Sequence, residues 1–310
     1  ILLPSAGQIE RMITLLGGNE DVFGIHWNKE IDEITRVGTT KDIVQADFNN
    51  VYPWAGVRRC IVADSGNVVA YHGDPNYIED GSIGQVMVEI PKFYYNSFRT
   101  PSGYQWEISP NKKAGFKLHP AFTDGVNEFN HVYFSAFEGS VYDMSTDEYL
   151  LEDEQTVNFD TDKLSSISGA KPCSGASQPL TIINSRKLAN NRGAGWMQQD
   201  FTTTSAIQLL YLIEYANFNT QSTIGLGVVN KPSGSGNESE ITGGTSHLGS
   251  SSGMAEGSNG HTSISYRGIE NFWGNIYKWV DGLNIMGNHL PYYSLGEYAS
   301  NKYDGSFEFA

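Results

Sequence analysis

Side chains able to hold a metal or attack a substrate are sparse and badly spaced in this chain of 310 residues. Its two cysteines, Cys60 and Cys173, lie far apart. Neither has the close companion that a thiolate metal site or a redox pair needs, so both read as buried free thiols. None of the seven histidines has helical or short-loop ligand spacing to another histidine or cysteine. His247 and His261 share one polar stretch and are the two placed to touch a ligand. Acidic residues gather at Asp147-Glu148, Glu152-Asp153-Glu154 and Asp160-Thr161-Asp162. Asp160 and Asp162 open like a calcium loop, but Leu164 replaces the next oxygen ligand and the turn glycine is missing. The run therefore reads as a solvated charged face. A glycan hydrolase would need two such carboxylates, for instance near Asp153 and Asp160, facing each other across a cleft. Gly249-Ser250-Ser251-Ser252-Gly253 has the spacing of a nucleophile elbow without the strand before it or the helix after it. No catalytic residue, metal ligand or cofactor is expected.

Recognition chemistry is better represented. Between Leu290 and Tyr303 the residues Tyr292, Tyr293, Tyr298, Asn301 and Tyr303 stand among serines and glycine. Such a mixture supplies rigid amphipathic area together with adaptable hydrogen bonding, which suits a ligand-binding surface. Upstream, Tyr266 to Gly282 concentrates aromatics, glycines and opposite charges. Gly274 and Asn275 accept positive φ and predict a tight turn. The alternation after it predicts a strand, with Ile276, Lys278 and Val280 on one face and Tyr277, Trp279 and Asp281 on the other. Trp273, Gly274, Asn275 and Trp279 are expected to be structural core, with both tryptophans mostly buried. Arg267, Glu270, Lys278 and Asp281 are expected to form ion pairs that fix the turn.

These loops need a scaffold. Ser5 and Gln8 have capping-box spacing ahead of Ile9, Met12, Ile13 and Leu16, which predicts a short amphipathic helix stopped by Gly17-Gly18. Asp64-Ser65-Gly66-Asn67 separates Arg59–Val62 from Val68–Tyr71 and predicts a β-hairpin. Strands are expected over 86–98, with Pro91 marking an edge or bulge, over 104–108 and over 131–143. Ser205 and Gln208 repeat the capping-box spacing before Leu209 to Ala216, so a helix buried on most faces is expected over 205–218. Half of 232–262 is glycine or serine, which predicts a long exposed loop with little apolar surface to offset its ordering entropy.

Glycine (34), tyrosine (17) and phenylalanine (15) are abundant and charged residues make up only 18%. This composition fits a loop-rich, mainly β protein. A net charge of −15 without a Lys/Arg cluster argues against nucleic-acid partners. Apolar stretches are too short for membrane insertion, and Ile1-Leu2-Leu3-Pro4 is too short for a secretory core.

Gly274-Asn275-Ile276-Tyr277-Lys278-Trp279-Val280-Asp281 resembles the Gly-Asn-(Val/Ile)-aromatic-x-Trp signature of the formylglycine-generating-enzyme (sulfatase-modifying factor) branch of the C-type-lectin fold. The wider pattern is similar to phage and prophage tail-tip proteins of that fold, including the variable proteins diversified by retroelements. It rests also on Val88-Glu89-Ile90-Pro91-Lys92-Phe93-Tyr94-Tyr95, Gly115-Phe116-Lys117-Leu118-His119-Pro120-Ala121-Phe122, Ser168-Gly169-Ala170-Lys171-Pro172, Asn191-Arg192-Gly193-Ala194-Gly195-Trp196 and Leu209-Leu210-Tyr211-Leu212-Ile213-Glu214-Tyr215, and spans about Val86 to Ile285. The enzymes of the branch use paired cysteines that bind copper. No cysteine follows residue 173 here, so that chemistry does not carry over. Nor does the calcium motif of sugar-binding lectins, since Gln178-Pro179 is followed by Leu180.

The resemblance implies an α+β, mainly β chain: a β-rich attachment or oligomerisation region over 1–80, then a C-type-lectin-like receptor-binding domain over 81–310. It implies a virion protein, made in the bacterial cytoplasm and acting outside the cell. Its partners would be other tail subunits and a bacterial cell-surface glycan or protein, with a homotrimer expected. A bacterial surface adhesin of the same fold, a structural virion component and a glycan-acting enzyme are the alternatives.

Overall fold

The computed structural model describes residues 21–153, 156–231, 239–257, 259–285, 289–294 and 308–309. The helix expected from Ser5 to Leu16 lies outside them, as do Tyr298, Asn301 and Tyr303. The chain is α+β and mainly β, with 30% strand against 18% helix. It divides into two compact units, each assembled from separate stretches: 1–55, 91–130 and 205–218 in the first, 56–90, 131–204 and 219–310 in the second. The expected boundary at 80/81 falls inside the second unit, because Arg58–Val62 pairs directly with Gln85–Pro91.

The first unit carries a five-stranded sheet in the order Glu33–Gly38, Phe23–Asn28, Gly103–Ser109, Tyr94–Thr100, Lys117–Leu118. Period-two alternation sends Phe23 and Ile25 inward beside Ile108. Trp54 is fully buried, with Phe48 and Phe23 edge-on to its ring at 4.5 and 5.5 Å. Its indole N–H donates to Leu210 O at 3.0 Å, which ties the helix Phe201–Tyr215 to this core. Arg36 caps the end of that helix, donating to Ile213 O and Glu214 O at 2.5 Å each. The helix starts four residues before the predicted cap. Asp200 is the cap residue, accepting from Thr203 N at 2.6 Å. The threonines of the first turn are tolerated because Thr204 Oγ1 returns a hydrogen bond to Asp200 O.

The second unit is built on a four-stranded sheet in the order Val68–Tyr71, Arg58–Val62, Gln85–Pro91, His131–Ser135. The hairpin read from Asp64-Ser65-Gly66-Asn67 forms, with Gly66 at φ 84°. The run 86–98 is two strands rather than one: Gln85–Pro91 ends at its proline, and Tyr94–Thr100 pairs in the five-stranded sheet. The run 131–143 likewise splits into His131–Ser135 and Ser140–Asp143. A helix over Ile182–Asn190, capped by Thr181 Oγ1 on Asn184 N, has no counterpart in the sequence reading. Its Leu188 closes a core with Val141 and Cys173. Both cysteines are buried free thiols. Among the described residues no helix is long and apolar enough to cross a membrane.

Candidate functional site

The segment from Ile264 to Asp281, in the second unit, is shaped by backbone that few residue types accept. Arg267 (φ 47°) and Gly268 (φ 88°) link the strands Ile264–Tyr266 and Ile269–Glu270. A β-carbon on Gly268 would stand 2.9 Å from the Arg59 side chain. Asn271 (φ 49°), Gly274 (φ 83°) and Asn275 (φ 59°) turn the chain again. Gly274 lies so close to Val228 that a β-carbon would sit 3.0 Å from its nitrogen. Trp273 is half-buried, its indole N–H on Gly225 O at 3.1 Å.

Asn275 is the hub of this turn. Its backbone N–H donates to Val228 O at 2.8 Å. Its Oδ1 accepts from Glu240 N at 2.8 Å and from Lys231 Nζ at 3.1 Å. Its Nδ2 donates to Glu138 Oε2 at 2.5 Å. Glu138 is buried, and its other oxygen meets Lys278 Nζ at 2.6 Å. Lys278 also donates to Gly274 O and Ile276 O. Downstream, Asp281 is gripped by Arg186 through Nε at 2.6 Å and a terminal nitrogen at 2.8 Å. The predicted ion pairs therefore exist for Lys278 and Asp281, but their partners come from remote segments rather than from the turn itself.

No strand forms over Ile276–Val280. The alternation is present without a ladder: Ile276, Lys278 and Val280 are partly buried, while Tyr277 and Trp279 face solvent. Trp279 is 48% exposed and Tyr277 fully exposed, which corrects the expectation that Trp279 is core. Lys278 decides the sense, because its partner Glu138 is buried and draws inward the face it shares with Ile276 and Val280; Asp281, buried against Arg186, departs from the alternation. Trp279 is nonetheless held in one orientation by its indole N–H on Leu180 O at 2.9 Å.

The remaining candidates are dispersed. Tyr292 and Tyr293 sit half-buried on Pro291–Tyr293, between Leu283–Ile285 and Glu308–Phe309. The Tyr293 ring lies 6.2 Å from Phe201. His247 is exposed in the one-turn helix Ser246–Leu248. His261 is exposed, with Nε2 3.1 Å from Asn230 Nδ2. Among the described residues no group of three histidine, cysteine or carboxylate side chains could hold a metal ion. Asp153 and Asp162 are buried, not solvated as expected. Asp153 accepts from Ser174 N, and Asp162 from Asn158 N and Met144 N. Asp160 is ion-paired with Lys187 at 2.6 Å.

The Gly/Ser-rich stretch, described from 239 apart from Ser258, alternates exposed residues with buried ones rather than being exposed throughout. Ser239, Thr242 and Thr245 are buried. Thr242 Oγ1 donates to Ile167 O at 2.7 Å. Glu270 accepts from Gly243 N, Thr245 N and Thr245 Oγ1 between 2.6 and 2.9 Å, and burial raises its carboxyl above the ordinary range. Arg59, fully buried, donates to Gly268 O, Glu79 and Thr245 Oγ1 and lies over the Phe137 ring. Glu138, Arg59 and Arg186 are the organising residues that sequence reasoning missed. An arginine inside the apolar strand Arg58–Val62 is the one signal among them.

The chain matches no protein-family model and no curated protein sequence.

Proposed function

We propose that this chain recognises a bacterial cell-surface glycan or protein without turning it over, as a receptor-binding protein of a phage tail tip with a C-type-lectin-like domain and a trimeric assembly. One observation carries the reading: two aromatic side chains, Tyr277 and Trp279, are presented to solvent by a segment that Glu138 and Arg186 hold at either end. Aromatics displayed on fixed backbone lose little conformational entropy on contact, which is the economy of a recognition surface. The resemblance of Gly274 to Asp281 to tail-tip proteins supplies the biological setting. Multiple copies on one particle would turn weak single contacts into stable adsorption.

The exposure of Tyr277 also suits burial against another virion subunit, so the structural-component reading is the rival. The test is binding of the purified chain to cells of susceptible bacteria, and competition with phage adsorption, for the native protein and for Tyr277→Ser and Trp279→Ser. Loss of cell binding with an unchanged melting transition supports recognition through these rings. Unchanged cell binding, with failure of particle assembly, assigns them to a subunit contact. If the native protein binds no host cell and antibodies to it leave infection intact, the receptor-binding reading falls.

A further inference from the structure

A lysine amine, an asparagine carboxamide and a buried carboxylate meet at Asn275. Lys231 Nζ lies 3.1 Å from Asn275 Oδ1, on the carbonyl end of the carboxamide. Glu138 Oε2 lies 2.5 Å from Asn275 Nδ2, on its leaving-group end. Glu138 is 7% exposed, and its second oxygen is held by Lys278 at 2.6 Å. Asn271, fully buried, reaches the same carboxylate at 3.4 Å. The carboxamide is fixed on every side: its Oδ1 also accepts from Glu240 N, and its backbone N–H is on Val228 O. Reacting groups held at such separations need little further ordering to react.

We propose that Lys231 and Asn275 are the partners of an intramolecular isopeptide bond, with Glu138 as its catalytic residue. The amine of Lys231, once deprotonated, attacks Asn275 Cγ. A Nζ–Cγ bond forms and the Cγ–Nδ2 bond breaks. Glu138 takes a proton from the attacking nitrogen and hands it to Nδ2, which leaves as ammonia. Overall, one lysine ammonium and one carboxamide become a secondary amide and one ammonium ion, so neither oxidant nor activating co-reactant is required. Lys278 compensates the carboxylate charge and fixes its second oxygen, leaving Oε2 directed at the reacting carboxamide. The bond would join the two ends of a segment that contains the whole Gly/Ser-rich stretch 232–262. Both cysteines are free, so this amide would be the covalent staple of the second unit. The proposal stands independently of what the chain binds.

Intact-mass spectrometry of the purified, denatured full chain tests it. The expected result is a mass lower than that of the sequence by one ammonia. After proteolysis, a branched peptide joining Lys231 to Asn275 should appear. Lys231→Arg, which keeps the charge, and Glu138→Gln should each restore the full mass while retaining native tryptophan fluorescence. A native chain with its full sequence mass overturns the proposal. So does an ammonia loss that persists in Lys231→Arg, since it would report a succinimide at Asn259-Gly260 instead. If Glu138→Gln does not fold, the decision rests on the native mass, the branched peptide and Lys231→Arg.

Discussion

Acid should loosen the first unit through one side chain, His119. Its ring is 3% exposed and packed by Phe93, Tyr95 and Phe122, with ring centroids 5.1, 5.2 and 6.2 Å away. Its Nδ1 accepts from Ala121 N at 3.3 Å. Desolvation of this site lowers the imidazole from its ordinary value of 6.5 to about 3. In the unfolded chain the ring protonates near its ordinary value of about 6.5. Between these two values the unfolded state binds a proton that the folded state refuses. Stability is therefore fully present above about pH 6.5 and is lost as pH falls toward the folded value. At about 1.4 kcal/mol per unit, the loss from this ring is about 2 kcal/mol at pH 5 and approaches about 5 kcal/mol near pH 3. Hydrogen exchange of peptides covering 91–130, followed from pH 7.5 to pH 5 with correction for intrinsic rates, reads this unit separately. In His119→Asn the amide oxygen replaces Nδ1 as acceptor without titrating. That variant should be weaker at neutral pH, from lost ring packing, yet should lose about 2 kcal/mol less than the native chain on going to pH 5. Parallel pH profiles for the two proteins would refute the assignment to His119.

Arg59→Met should be severe, because it removes the buried cation paired with Glu79 and the donor to Gly268 O and Thr245 Oγ1. A loss of about 3–5 kcal/mol is expected, with protease cleavage appearing first within 239–262. Cys60 and Cys173 should stay silent to a thiol reagent at pH 8 in the folded chain and react fully in denaturant. Burial pushes both thiols up to about 12, so almost no thiolate is present. Rapid labelling of either in the native state would show that its surroundings open.

Local patterns in the sequence carried the local structure. The hairpin around Asp64-Ser65-Gly66-Asn67 was legible because turn chemistry and β-branched strands sit side by side. The helix over Phe201–Tyr215 was legible because Leu209 to Tyr215 is apolar nearly all round, although its start was not. Asp200 outcompetes Ser205 as a cap, since a carboxylate is the better acceptor at a helix N-terminus. The buried positions within the Gly/Ser-rich stretch were not legible for a related reason. Low apolar content predicts exposure only if hydroxyls must find water. Here Thr242, Thr245 and Ser239 find carbonyls and carboxylates from distant segments instead. Absence of a side chain is also what lets this backbone lie close, as at Gly243, where a β-carbon would stand 2.0 Å from Ser168 Oγ.

The site turns on the same distinction. Alternation over Ile276–Val280 fixes which side chains share a face. It does not say which face meets the protein. That choice belongs to Glu138, which grips Lys278 from a segment remote in sequence. Once that charge is drawn inward, Tyr277 and Trp279 must turn outward, whatever their hydrophobicity prefers. A buried ion pair is costly to form and more costly to break, so this choice is hard to reverse. Neutralising Lys278 should thus do more than remove a contact. In Lys278→Met the inward preference passes to the aromatics, and fluorescence of Trp279, read against a Trp279→Phe reference, should shift to the blue if the charge sets the display. An unchanged emission maximum would mean that the turn at Gly274-Asn275 orients the segment by itself.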